Sequence, residues 1–496
     1  MAVVLTLSVA TAAFGVEGPD PLLDLFVKKG FVTQDEAEKV KAEADALRTN
    51  ELAQLPQSKW SINNAIKKVE VYGDLRLRYE DRRAEDPAGG HIDLNRIRYA
   101  VRLGLRGDVY DNFYYGVRVE TSTNPRSTWV TFGSNSGTPF GKSTAGIGIG
   151  QVYLGWRPVE WADVTVGKMP NPFYTTPMTW DTDLNPEGAA ERFKYTLGPA
   201  DLSATFGQFI YQDTSPASAS SGYFNIPFKK SNIPFILGWQ GSINYHVTKK
   251  LSVKVAPALF NYTGHGADNG ANISTPDFNG TFVGQGSSFG VGGSSAFYNL
   301  GNFNGFFANE TGINDLLILD IPWEVNFKLE KVNLRLFGDY AQNLDGGDRA
   351  RAAFAAQKNP IFNGTGIILI PSAQTSDTKA YQIGFAIGSN DNLGLVYGSV
   401  SHKHAWEFRT YWQHVEQYSL DPNLVDSDFF EGRLNEEGIY TALAYGLTDN
   451  MIATFRYGYA NRINNKLGTG GNNLDIPQMN PVDKYNLLQL DLTLRF

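Results

Sequence analysis

The sequence predicts an all-β fold, a sixteen-stranded antiparallel transmembrane β-barrel preceded by a short N-terminal helical segment. Three observations predict it. From about Val69 onward the apolar period switches to two and stays there. The connections alternate between short and long. No run of about 18 apolar residues exists to make a spanning helix. The last strand carries the pattern most cleanly. Leu488, Leu490, Leu492, Leu494 and Phe496 fall on one face, and Gln489, Asp491, Thr493 and Arg495 on the other. A strand of this kind meets oil on one side and water on the other.

Composition agrees with that class. In 496 residues, Gly 51, Tyr 24, Phe 31 and Trp 9 suit many strands, tight turns and interfacial rings. The mean hydropathy of -0.27 is what a barrel gives, since alternate residues face water. A net charge of -8 argues against nucleic acid as a partner. The absence of cysteine excludes disulfides, iron–sulfur clusters and thiol catalysis.

Along the chain, residues 1–16 read as a signal peptide, with an apolar stretch and Ala12-Ala13-Phe14-Gly15 as a cleavage site, although no Lys or Arg precedes Lys28. Residues 17–67 read as a periplasmic helical segment. Gly30 is a helix stop, and Thr33-Gln34-Asp35-Glu36 is a capping box that starts a second helix. Residues 68–496 make the barrel. Sixteen strands are expected to start near 68, 94, 112, 147, 161, 189, 201, 235, 250, 312, 331, 377, 404, 436, 450 and 484. Short turns at 108–111, 158–160, 198–200, 246–250, 329–331 and 447–449 alternate with long loops at 81–93, 123–146, 169–187, 213–233, 264–311, 344–376, 419–435 and 463–483. Single-chain bacterial barrels show this asymmetry, with the short turns in the periplasm. The connection 389–403 is longer than the pattern wants. Trp156, Trp161, Trp323, Trp406 and Tyr485 are expected in the interfacial girdles.

If the apolar face meets lipid, the other lines the lumen. That places Arg76, Arg78, Arg96, Arg98, Arg102, Arg106 and Arg118 inside on the first three strands, joined by Arg192 and Lys194 on the sixth. An arginine on the lipid face near the midplane would cost roughly 2–4 kcal/mol, so the register is strongly specified.

Leu22 to Ala37, Val71 to Glu80, Asn95 to Gly107, Gly167 to Gly188, Asp426-Ser427-Asp428-Phe429 with Gly432, and the terminal Phe496, in that order, resemble the family of putative porins of Gram-negative bacteria. The resemblance covers nearly the whole chain. It implies a cell outer-membrane channel for passive diffusion of small hydrophilic solutes and ions, not an enzyme, with no cofactor. Its implied surroundings are outer-membrane lipid and lipopolysaccharide, the barrel-assembly machinery that reads Phe496, and two further copies in a homotrimer. In sixteen-stranded general porins the third loop folds into the barrel. By that resemblance Asp181, Asp183 and Glu187 would face the arginine wall and set the constriction, since rings of charge select permeants by field as well as size. A substrate-specific channel for sugars or organic anions is the alternative, and lumen-facing aromatics would favour it.

Other motifs lack their context. Gly286-Ser287-Ser288-Phe289-Gly290 sits in a Gly/Ser/Asn-rich loop rather than between strand and helix. Asp181-x-Asp183-x-Asn185 opens like a calcium loop, but Pro186 takes the turn glycine and Arg192 the bidentate Glu position. His402-x-His404 has no third ligand nearby, so no metal is expected.

Overall fold

The computed structural model describes residues 66–496, apart from 124–126, 135, 212–234, 264–315, 351–360, 363–366, 369–375, 390–392, 400–401, 466, 470–474, 477–478 and 480, together with Lys29, Thr33 and Lys39. The expected signal peptide and most of the helical segment lie outside the described residues, as does the Gly286 to Gly290 motif. Two compact units divide at Asn64, and the second, Ala65–Phe496, holds the barrel.

In chain order the wall strands are β1 (Glu70–Glu85), β2 (His91–Asp108), β3 (Phe113–Ser122), β4 (Gly146–Val159), β5 (Ala162–Lys168), β6 (Glu187–Leu197), β7 (Ala200–Ile210) and β8 (Phe235–Thr248). Two broken strands follow, β9 (Leu251–Val255 with Ala258–Thr263) and β10 (Leu317–Asp320 with Trp323–Lys328). The rest are β11 (Asn333–Asn343), β12 (Lys379–Gly388), β13 (Trp406–Val415), β14 (Glu436–Gly446), β15 (Met451–Arg462) and β16 (Lys484–Arg495). Every neighbouring pair is antiparallel, and β1 pairs with β16 over Asp74↔Arg495 to Glu85↔Lys484, closing a sixteen-stranded barrel. Phe496 extends that seam, its N–H donating to the Gly73 carbonyl at 3.1 Å and its carbonyl accepting from Gly73 at 2.9 Å.

The breaks have one cause. Pro257 and Pro322 have no N–H to give a ladder, and they interrupt neighbouring strands. The gap is bridged when Ala256 donates to the Pro322 carbonyl at 3.0 Å. The faces follow the alternation. Val71, Leu75, Leu77, Ile97, Leu103, Leu490 and Leu492 are exposed outward, while Arg78, Glu80, Arg102 and Gln489 are buried on the inside.

Two expectations need correction. The first long loop is only a tight turn at 86–90, because β1 and β2 run on as a ribbon to Glu85 and His91. Outward residues change there from apolar to charged, with Arg83 paired to Asp81 at 2.8 Å and Lys484 to Glu85 at 2.9 Å. The ribbon therefore rises out of the apolar band into water. Tyr485 is not an interfacial ring. It faces the lumen near the long-loop end and is fully buried, its hydroxyl accepting from Arg82 at 2.6 Å and donating to Glu431 at 3.1 Å.

The interior is filled from the long-loop end. β3 ends before β2 does, and the freed edge of β2 is taken by a short strand of the second long loop, Val130–Thr131, through Arg98↔Thr131 and Tyr99↔Val130. An uncovered edge would be open to stray pairing. The third long loop (169–186) and the seventh (416–435) also fold inward, and they meet. The backbone N–H of Asp181 donates to the Leu424 carbonyl at 2.6 Å, and that of Asp426 to the Pro177 carbonyl at 3.0 Å.

Candidate functional site

The third loop is seated before its charges can act. Gly207 on β7 and Gly238 on β8 are cross-strand partners facing inward. A Cβ at either position would lie 2.8 or 2.3 Å from the Phe173 ring, so two bare glycines make the slot that this ring fills. Phe173 meets Phe209 and Phe260 edge-on at 6.0 and 5.1 Å, and Trp180 leans on the same two rings. Tyr174 then donates to Glu324 at 2.7 Å and lies under Lys254 at 3.3 Å. These contacts fasten the loop to β7–β10, across from the arginines.

The predicted residues separate into three groups. Asp183 reaches Arg102 at 2.6 Å, and Arg76 acts on the same carboxylate. Burial pushes the Asp183 carboxyl up, but Arg102 and Arg76 outweigh burial and hold it below the usual carboxylate range. Arg76 also pairs with Asp74 at 2.8 Å, and Arg118 with Glu120 at 3.1 Å. This group lies where the third loop meets β1–β3.

The second group is higher in the lumen and belongs to the seventh loop. Arg78 grips Asp491 at 2.8 Å and Asp428 at 2.7 Å, with its guanidinium 4.1 Å over the Trp129 ring. Arg96 pairs with Glu80 at 2.5 Å and Asp475 at 2.6 Å. Arg98 lies 3.7 Å from Glu80 and 5.9 Å over Trp129. Burial raises the Asp428 carboxyl, yet Arg78, Arg456 and Arg82 more than reverse it. Beside it Asp426 is pushed well above its ordinary range, by burial first and then by Asp181 and Asp428.

The third group does not join the contact between Asp183 and the arginines of β1–β3. Asp181 turns to the seventh loop, accepting from the Ser427 N–H at 3.3 Å and hydroxyl at 3.1 Å. Glu187 opens β6 on its outer face and pairs with Lys168 at 2.6 Å, so it does not face the arginines. The period of two decides this, because Gly188, one residue on, takes the inward position. Arg192 does face inward but donates to the Pro172 carbonyl at 2.9 Å, holding loop backbone rather than an acid. Arg106 pairs with Glu70 at the short-turn mouth, half exposed.

Sequence reasoning missed Glu80, Asp428, Asp475 and Trp129 as partners of these arginines. A signal for the seventh loop was present. Asp421-Pro422, Asp426, Asp428 and Phe429-Phe430 repeat the acidic, proline-stiffened, aromatic composition of the third loop. Among the described residues no group of three or more His, Cys, Asp or Glu could hold a metal ion.

Inward aromatics are present on the far wall, but they are packed rather than open. Tyr411 and Tyr440 stack at 4.9 Å and are covered by Phe429 at 6.2 and 5.4 Å.

Comparison with known proteins places the chain in a family. The family model described as "Putative porin" matches residues 89–496. Among solved structures, the chain is similar to Salmonella typhi OmpF in complex with daunomycin, at 10% identity and a TM-score of 0.43, covering 88% of this chain and 100% of that one. It is also similar to the anion-selective porin from Comamonas acidovorans, at 9% identity and a TM-score of 0.41, covering 86% of this chain and 99% of that one. No curated protein sequence matches. With the family model spanning most of its length, the chain belongs to the putative porin family, the outer-membrane channels of Gram-negative bacteria.

Proposed function

We propose that small hydrophilic solutes and ions diffuse passively through this barrel and are sorted where the third loop meets the arginines of β1–β3. The observation that carries the reading is the loop acid Asp183, seated 2.6 Å from Arg102 by a loop anchored on the opposite wall. Charge fixed in a narrow water-filled passage acts on permeants by field as well as by size. The wall arginines are matched nearly one for one by acids. The reading is therefore of a balanced field with modest ion preference rather than a strongly basic eyelet. The covered state of Tyr411 and Tyr440 supports general diffusion over a specific sugar or organic-anion path, since neither ring is free to stack on a passing solute.

The surrounding assembly is proposed as a homotrimer in lipid and lipopolysaccharide, with Phe496 as the signal for the assembly machinery. Single-channel recording in planar bilayers tests the function. The expected result is a linear conductance that does not saturate with salt and a small reversal potential in a gradient. Saturation by, or block with, one sugar or organic anion would move the protein to the substrate-specific class.

A further inference from the structure

The longest connection at the short-turn end runs from Ser389 to Ala405, between β12 and β13. It does not hang below the barrel. Its middle folds up into the lumen as a 3-10 turn, Leu395–Tyr397. Leu393, Leu395 and Val396 are buried there. The fold is held from four strands. Arg335 of β11 and Arg409 of β13 both donate to the Leu393 carbonyl, at 3.2 and 3.1 Å. Arg456 of β15 donates to the Val396 carbonyl at 2.8 Å, and Arg495 of β16 to the Tyr397 carbonyl at 3.4 Å. Glu407, fully buried, accepts from the N–H groups of Leu395 at 2.5 Å and Val396 at 3.3 Å.

Local sequence fits this position. Gly398 closes the turn at φ 73, a left-handed conformation that favours glycine, with the Arg495 guanidinium close by. Tyr397 sits 4.8 Å under the Arg409 guanidinium and remains 42% exposed, at the margin of the open lumen. Backbone polar groups this far inside a barrel are tolerated only where they are paired or wet. Here arginines and one glutamate pair them.

We propose that this inward hairpin is a second constriction, on the periplasmic side of the third loop, that occupies the lumen beside β11–β16. The inference rests on the reading of the chain as a channel. It makes the passage asymmetric, confined to the β2–β10 side. Arg335, Arg409 and Arg456 reach the hairpin's carbonyl oxygens while also pairing with Glu324, Glu407 and Asp491, so the hairpin is docked on ion pairs of the wall.

Bilayer recording on the full-length protein tests it. In one variant residues 393–399 are replaced by two glycines. Conductance is expected to rise at least twofold with little change in reversal potential, because Arg335, Arg409 and Arg456 keep Glu324, Glu407 and Asp491 as partners. In a second variant, Tyr397→Cys, the new thiol is unique because the chain has no cysteine. A bulky water-soluble thiol reagent is expected to label it and lower the conductance. Unchanged conductance in the shortened variant overturns the proposal. If that variant fails to assemble, the cysteine variant decides. Current unaffected after confirmed labelling, or a thiol that no reagent reaches, overturns it. A silent wild type with a conducting shortened variant makes the hairpin a full plug and supports the proposal. Silence from both overturns the channel reading beneath it.

Discussion

Asp181 and Asp183 are two residues apart in one loop, and their side chains serve different ends. Asp183 meets Arg102 and Arg76 in the passage, whereas Asp181 holds Ser427 of the seventh loop. Asp183→Asn should therefore shift the reversal potential toward anions by itself, since it removes the acid nearest Arg102 and leaves Glu120 at 3.6 Å and the more distant field of Asp74. Asp181→Asn should change current noise more than selectivity. Equal selectivity shifts from both variants would refute this division. A pH dependence follows from the neighbouring acids. Asp183 and Asp428 are held low, so their contribution is present above the ordinary carboxylate range and is lost as pH falls through the lowered values. Asp426 is held high, so its contribution is present at low pH and is lost as pH rises through its raised value, when a third charge appears beside Asp181 and Asp428. The contact between the two loops should be tightest between these limits. Open-channel noise is expected to grow on the alkaline side in the wild type and to stay flat in Asp426→Asn.

At the scale of elements, the third loop is placed by packing and only then tuned by charge. The seat is the Gly207–Gly238 pair under Phe173. Gly238→Val should expel the ring, cost about 1–3 kcal/mol as an overpacked site, and widen the channel. Thermal unfolding and conductance should change together, and a narrower or unchanged pore would show that Phe173 is not the anchor. The seventh and eighth long loops are joined in the same way. Arg433 pairs with Glu431 at 3.1 Å and donates to the carbonyls of Thr469, Ile476 and Met479, which ties both loops over the lumen. The sequence showed which loops were acidic and aromatic. It did not show that the third and seventh meet, because beside the Asp181–Ser427 contact the bonds between them run backbone to backbone, as from the Asp181 N–H to the Leu424 carbonyl. Any residue type could make those bonds.

For the whole molecule, register is the governing quantity. A slip of one residue would turn the arginines of β1–β3 to lipid and the leucines of β16 to water. The inward positions of Arg78 and Arg102 and the outward positions of Leu77 and Leu103 are thus two readings of one constraint. Leu77→Arg should cost roughly 2–4 kcal/mol of folding free energy in a bilayer, because Leu77 lies within the apolar band of β1. Refolding titrations into lipid vesicles measure this. A loss well under that range would place Leu77 outside the hydrocarbon.

The sequence by itself determined the strand number, most of the faces and the inward arginines, and most of the alternation of turns and loops. All of these follow from a period of two read against lipid and water, which is a local property of the chain. Tertiary structure decided what the arginines face. Arg78 meets Asp428, Arg102 meets Asp183 and Arg456 meets the hairpin between β12 and β13, over sequence separations that no periodicity encodes. It also put Glu187 outside and Tyr485 inside, one at the start of its strand and one near the long-loop rim. Both follow the period of two carried to the strand ends, where the membrane no longer requires apolar residues outside, so residue type alone misassigns the face.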